Sequence, residues 1–245
     1  MKIYGRIAEF CAVRNVGSAF ENDGVATPRL MWLVRLCAEL GLPARVDRFQ
    51  SRGIHFYNLI IEPEGGGRRW VSAHHDIVNP NSDNANDNSA SCINAIALRL
   101  ERPDIGVIIC DGEEVGGIGA IRFCELIESG EIERPDWILN LELTGLGGES
   151  FFYGGEGSNG PLGELIRRVH PTAPRYSTPF NDSVRFRGAG LDSLVINPLP
   201  RLENDALDWS PLSRCHSTAD SLDGISVEDM QSFVERVLLP IFDAQ

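Results

Sequence analysis

Arg69-Trp70-Val71-Ser72-Ala73-His74-His75-Asp76 predicts a β-strand over residues 69–74 that ends at a histidine. The continuous apolar run over 105–110 predicts a buried strand, and residues 137–143 predict a further one. Apolar residues at helical spacing lie between these strands, over 88–100 and 116–129, and predict two helices. This alternation of strands and helices predicts a mostly parallel sheet with right-handed crossovers.

The other elements are predicted from caps, breakers and apolar spacing. Thr27 and Pro28 open a helix that Gly41 closes. The last helix begins at Ser226, and Pro240 should weaken its final turn. The remaining predictions are strands at 44–49, 55–62 and 193–196, a polar loop at 79–86, and a helix at 160–169.

Five residues of metal-ligand type stand at predicted strand ends or in loops: His74, Asp87, Glu114, Glu142 and His216. In open α/β sheets, sites form outside the carboxyl ends of the strands, so parallel strands bring such residues to one edge. Two imidazoles and three carboxylates can hold two zinc ions if one carboxylate bridges them. We assign the bridge to Asp87, since cations ~3.5–4 Å apart need an anion between them. Its neighbours Asn86 and Asn88 are expected to hydrogen-bond this carboxylate. Cobalt or manganese would suit the same ligands.

Two further acids have predicted roles beside these ligands. Glu113 adjoins Glu114, and adjacent side chains diverge, so one can bind metal while the other serves as a general base. We assign Glu113 as that base. Asp76 shares a strand face with His74 and is expected to hold the second nitrogen of its ring, whereas His75 points the other way.

Each of these residues also has an ordinary structural interpretation. His74 could be a hydrogen-bonded core histidine, and Asp87 could cap a helix. The adjacent acids after residue 110 could form a surface turn. Glu142 could be a half-exposed strand end, although a lone acid in an apolar run is costly unless it is paired. His216 could be an exposed loop residue. In either interpretation Asp220 is expected to cap or orient it.

Composition restricts the class of protein. The 245 residues suit one domain, 1–245, with 42% hydrophobic and 23% charged residues. A net charge of −13 argues against a nucleic-acid partner, and no basic amphipathic stretch indicates membrane attachment. Six cysteines without a CxxC pair, and no apolar leader, favour buried free thiols in a reducing cytoplasm. Oligomeric state is left open.

The motifs together resemble the M28 family of co-catalytic zinc peptidases, the aminopeptidase type. This resemblance implies a three-layer α/β/α sandwich around a mostly parallel mixed sheet, and a peptide or amino-acid-derivative substrate. It implies one zinc held by His74, Asp87 and Glu142, and a second held by Asp87, Glu114 and His216. The stretches that carry it are 72–76 (SAHHD), 85–91 (ANDNSAS), 111–116 (DGEEVG), 140–142 (NLE) and 216–223 (HSTADSLD).

Two positions depart from the family pattern. Glu142 stands where the family usually has Asp, so the longer side chain could shift that metal or lower its occupancy. The family's Ser-Asp-His element is matched to Asn181-Asp182-Ser183, which lacks the histidine and puts substrate contacts in question. Tyr153 and Tyr176 are candidates for the oxyanion-stabilising group by residue type alone.

Three functions compete on this basis. The leading one is a zinc-dependent aminopeptidase. The second is a metal-binding protein without peptidase activity, and the third is a glutaminyl-cyclase-like acyltransferase with one zinc. The presence of both His74 and His216 with all the acids favours two metals. The related M20 peptidases usually carry an inserted domain, for which the interval between Glu142 and His216 leaves little room.

Overall fold

The computed structural model describes residues 2–14, 17, 26–154 and 159–244. Its centre is an eight-stranded sheet in the order β1-β2-β4-β3-β5-β8-β6-β7. The strands are β1 (Ala44–Ser51), β2 (Ile54–Ile61), β3 (Arg69–His74), β4 (Ile105–Cys110), β5 (Trp137–Leu141), β6 (Phe151–Gly154), β7 (Arg175–Tyr176) and β8 (Ser193–Pro198).

The middle of the sheet is parallel. Strand β4 pairs with β3, β3 with β5, and β5 with β8, all in parallel. The pairs β1–β2, β2–β4 and β6–β8 are antiparallel. A mostly parallel mixed sheet is therefore confirmed. Because β3, β4 and β5 are adjacent and parallel, the segments that follow them emerge at one edge of the sheet.

Helices cover both faces of the sheet. Along β3, Val71 packs into one apolar cluster and Trp70 into the other, as alternation along a strand requires. The first cluster contains residues of α2, α3, α5, α7 and α8, and the second contains residues of α4 and α6. The helices are α1 (Ile7–Cys11), α2 (Pro28–Glu39), α3 (Ala90–Glu101), α4 (Ile118–Glu128), α5 (Pro161–Val169), α6 (Asp182–Gly188), α7 (Val227–Phe233) and α8 (Leu239–Asp243).

The C-terminal helix was expected to weaken at Pro240. In the structure a π-helical turn over Val234–Leu238 joins α7 to α8, and the proline lies at the start of α8. Proline is tolerated there because the first helical N–H groups have no intrahelical acceptor. In the described part of the chain, no helix has the length and apolarity needed to cross a bilayer.

Candidate metal centre

The first cluster of candidate ligands forms where β3 ends. His74 is the last residue of β3, and its ring is buried. Its Nε2 atom lies 3.3 Å from Oδ1 of Asp87 and 3.5 Å from Oε2 of Glu142. Asp87 precedes α3, and Glu142 follows β5, where Leu143 with φ 56° turns the chain away from the sheet. Three separate segments thus bring donor atoms to one point.

The second cluster shares Asp87 with the first. His216 Nε2 lies 2.9 Å from Oε2 of Glu114 and 3.3 Å from Oδ2 of Asp87. The two oxygens of Asp87 therefore face different imidazoles, Oδ1 towards His74 and Oδ2 towards His216. This is the arrangement a bridging carboxylate requires.

The spacing of these atoms fits tetrahedral metal ligands. Bonds of ~2.0–2.1 Å to a tetrahedral zinc ion place its ligand atoms about 3.3–3.4 Å apart, and the four distances above range from 2.9 to 3.5 Å. In each cluster all ligand atoms lie within 4.8 Å of one another. The donor set, with one imidazole and two carboxylates per cluster, suits zinc. The five residues therefore fit a pair of such ions.

Asp76 holds the first cluster and the adjacent acids together. Nδ1 of His74 lies 3.2 Å from the backbone carbonyl oxygen of Asp76 and 3.4 Å from its Oδ1, so this residue holds the second ring nitrogen through both groups. Its two carboxylate oxygens also accept hydrogen bonds from the backbone N–H groups of Glu113 and Glu114, both at 3.1 Å. His75 turns away, and its Nε2 lies 2.9 Å from the carbonyl oxygen of Tyr57.

Glu142 is held by amides on both of its oxygens. Asn140 Nδ2 donates to Oε1 at 2.9 Å, and Asn88 Nδ2 donates to Oε2 at 2.8 Å. Asn140 is fixed in turn by the Ser72 hydroxyl, which donates to its Oδ1 at 2.7 Å. Ser72 and Asn140 are fully buried. The longer side chain at position 142 therefore has a supported orientation towards His74.

Replacing Asn140 by alanine is expected to weaken zinc binding about 10–100-fold, because groups that orient a ligand have effects of this size. The measurement is zinc affinity by chelator competition. Thr27→Ala is the control: Thr27 caps α2 by accepting from Leu30 N–H, so its loss costs ~1 kcal/mol of stability far from the cluster. Equal zinc affinities in Asn140→Ala and Thr27→Ala would show that Asn140 has only a general stabilising role.

The surroundings of Asp87 and His216 differ from the sequence expectation. Asp220 was expected to cap or orient His216, but its carboxylate accepts from the backbone N–H groups of Asn86 and Asp87 at 2.8 and 3.0 Å. Asn86 and Asn88 were expected to hydrogen-bond the Asp87 carboxylate. Instead Asn86 Oδ1 accepts from Gly145 N–H, and Asn88 holds Glu142. Such partners lie 54 to 134 residues apart in sequence, so local pattern gave no signal for them.

The buried acids and the exposed imidazole of the centre have shifted pKa values. Burial raises the pKa of Glu113 to about 10 and that of Glu114 to about 7. The hydrogen bond with Asp87 raises the pKa of His216 to about 9. Burial opposes ionisation of Asp87, but hydrogen bonds from the two imidazoles hold its pKa well below the usual range. The crowded carboxylates thus require positive charge nearby, which protons or metal ions can supply.

A cavity of about 560 Å³ opens onto the two clusters. Gly116, Phe180 and Asn181 border it, and Asp182 is buried at the start of α6, where burial raises its pKa to about 7. Neither oxyanion candidate is placed in the cavity wall: Tyr153 packs in the apolar core. Sequence reasoning missed other wall residues on β6, on β8 and near 209–212, namely Phe152, Val195, Asn197, Trp209 and Leu212. The strand predicted over 193–196 already contained Val195, and the aromatic run of β6 carries a strand signal as well.

The family is established by comparison of the sequence. The sequence profile described as Peptidase family M28 matches residues 58–239, which include all five candidate ligands. The chain therefore belongs to Peptidase family M28, and the resemblance inferred from the motifs is confirmed. No curated protein sequence matches closely enough to extend this comparison.

Solved structures share the fold at low sequence identity. BSAP, a zinc aminopeptidase from Bacillus subtilis, aligns with a TM-score of 0.62 and 21% identity, over 77% of this chain and 49% of that one. The LapA aminopeptidase of Legionella pneumophila aligns with a TM-score of 0.74 and 12% identity, over 99% and 70%. The glutaminyl cyclase of Porphyromonas gingivalis aligns with a TM-score of 0.75 and 16% identity, over 99% and 97%. The chain thus spans about half the length of BSAP and nearly all of the cyclase.

Proposed function

We propose that the protein is a zinc-dependent exopeptidase, an aminopeptidase, whose single catalytic domain covers residues 1–245. The observation that carries the proposal is the position of Asp87, with one carboxylate oxygen in each ligand cluster. His74 and Glu142 complete one site, and Glu114 and His216 complete the other. Two ions are expected per chain.

Glu113 has the position of a proton carrier in this proposal. When bound, a zinc pair supplies polarisation of the scissile carbonyl and acidifies the attacking water towards a pKa of ~7. Glu113 lies within 4.8 Å of His74 and Glu114 by its ligand-type atoms and is 8% exposed. Its carboxylate takes the proton from that water and delivers it to the leaving amine. The Asp76 carboxylate accepts a hydrogen bond from the backbone N–H of Glu113 and so fixes Glu113 beside the ligands.

The amino group of the substrate is expected to meet the acidic side of the cavity. Glu113 and Glu142 both border the cavity, and Glu142 keeps its orientation through Asn88 and Asn140. Carboxylates in a buried setting attract an ammonium group and repel a carboxylate. A free N-terminus therefore suits this end of the cavity.

A cyclase-like acyl transfer is the second candidate. One observation favours it: the fold superposes on the Porphyromonas gingivalis glutaminyl cyclase with a TM-score of 0.75 over 99% of this chain, against 0.62 over 77% for BSAP. Both reactions need a polarised carbonyl and a proton carrier near a free amine, so the same residues would serve either.

Removal of zinc with EDTA is expected to abolish release of aniline from amino-acid anilides, and added zinc should restore it. Metal analysis of the restored protein should give two ions per chain. Mass spectrometry of products from peptides with N-terminal glutamine separates the two reactions: a freed amino acid supports the peptidase, and pyroglutamate with one zinc per chain supports the cyclase. Bound zinc without turnover on a broad peptide panel would indicate a metal-binding protein instead, and full activity after EDTA treatment would refute both enzymes.

A further inference from the structure

The cavity wall formed by β6 and β8 has a defined side-chain face. Phe152 and Asn197 are directly opposite each other in the antiparallel pair. Val195, two residues before Asn197, lies on the same face because side chains alternate along a strand. Phe152, Val195 and Asn197 all border the cavity. One face of this strand pair is therefore a floor to which a substrate side chain has access.

Aromatic rings stand over this floor. The ring centroid of Trp209 lies 5.2 Å from that of Phe152 and 4.9 Å from that of Tyr176. Leu212, near Trp209 in sequence, also borders the cavity. Trp209 and Leu212 form apolar walls that favour the methylene groups of a bound side chain.

Asn197 is the polar exception on this floor. It is 5% exposed, and its Oδ1 atom is buried and has no hydrogen-bond partner among the described residues. Asn58 shows the usual state of a buried amide here: it donates to Gly119 O at 2.9 Å and accepts from Asp111 N–H at 3.0 Å. A buried acceptor left unpaired is costly. Because the Asn197 side chain borders the cavity, rotation of its terminal amide brings Oδ1 to the cavity surface, where a ligand that supplies the missing donor gains that interaction.

We propose that Asn197 is a specificity-determining residue and that the cavity selects an N-terminal side chain ending in a neutral carboxamide. This inference rests on the proposed function. A carboxamide both donates and accepts, so it pairs with either end of the Asn197 amide. Its methylene groups contact the aromatic walls. A carboxylate of the same length would face Glu113 and Glu142, which border the same cavity.

Matched pairs of ligands test the proposal without relying on turnover. Glutamine and methionine have side chains of similar length, and so do asparagine and leucine, but only the first of each pair is a carboxamide. Hydroxamates of these four amino acids present the same zinc-binding group. With zinc-loaded protein, calorimetry should give Kd values at least about ten-fold lower for the carboxamide member of one pair. Anilides of the same amino acids should show the same order in kcat/KM.

The variant Asn197→Leu replaces the amide with an apolar group of the same branched shape. It should cancel or reverse the preference, because the leucine side chain favours the apolar member of each pair. Asn204→Leu is a control at an exposed position, and it should retain the wild-type ratio. Equal affinities within both pairs in the wild type, or an unchanged ratio in Asn197→Leu, would overturn the proposal.

The two readouts separate the inference from the proposed function. Selective hydroxamate binding with no hydrolysis of any anilide would keep the role of Asn197 and reject the peptidase. Hydrolysis of methionine and leucine anilides at least as fast as their carboxamide partners, with no hydroxamate preference, would keep the peptidase and reject the role of Asn197. No binding of any hydroxamate together with no hydrolysis would overturn both.

Discussion

Glu113→Gln should lower kcat for amino-acid anilides by about 10²–10⁴-fold while the protein still binds two zinc ions per chain. Glutamine keeps the shape of the side chain but has no carboxylate to receive a proton. Glu113 is in neither cluster that contains Asp87, and its position depends on a backbone hydrogen bond to Asp76. The measurements are kcat under substrate saturation and metal content by elemental analysis.

The neighbouring acid supplies the matched control. Glu114→Gln alters the next residue, whose Oε2 lies 2.9 Å from His216 Nε2. This variant should lose one of the two zinc ions, so its activity falls together with its metal content. Unchanged kcat in Glu113→Gln, or a fall in zinc content equal to that of Glu114→Gln, would contradict the assignment of Glu113 as the general base.

In Asp87→Asn, high-affinity zinc binding is expected to be lost at both sites. The value of kcat/KM should fall at least about 10³-fold, because the metal ions that activate the reaction are lost. An asparagine at this position would offer one carbonyl oxygen and no negative charge between the two imidazole clusters. Thermal unfolding gives an independent measurement. Zinc at 100 times its Kd stabilises the folded wild type by about 2.7 kcal/mol per site, and this stabilisation should disappear in the variant.

Asp47→Asn is the matched control for Asp87→Asn. Asp47 is also a mostly buried acid, but it lies on β1, pairs with Arg122 at 3.0 Å and takes no part in either cluster. Its substitution should lower stability while the midpoint of unfolding still rises with added zinc. If added zinc raises the unfolding midpoint of Asp87→Asn by as much as that of Asp47→Asn, Asp87 is not the bridge.

The sheet and the candidate ligands were predictable because their signals are local. The apolar run over 105–110 and the strand over 69–74 each stop at polar residues, and parallel pairing then places their ends together. Helix α6 was not predicted, because charged side chains interrupt its short sequence and leave no apolar spacing to read. Its tertiary contacts include Phe186, which packs against Phe123, and its N-terminus is capped by Asn181. Strand β7 has two exposed residues and no pattern of its own.

The supporting residues of the site were predicted only in part. Asp76 was within reach of local reasoning, because it lies two positions from His74 on extended backbone. Asn140 has the same two-residue spacing from Glu142, but its support by Ser72 comes from a neighbouring strand. Asp220 was out of reach, since it acts on backbone 133 and 134 residues away. The wall around Asn197 depends on the antiparallel pairing of β6 with β8, which no spacing in the sequence indicates.

The Asp76 carboxylate touches three components at once: the ring of His74 and the N–H groups of Glu113 and Glu114. A shift of this one side chain would move an imidazole and both acids together. A change that alters proton transfer by Glu113 through Asp76 therefore also alters metal binding by His74 and Glu114. Variants selected for faster turnover should therefore arise in the cavity wall, where changes leave that shared anchor undisturbed.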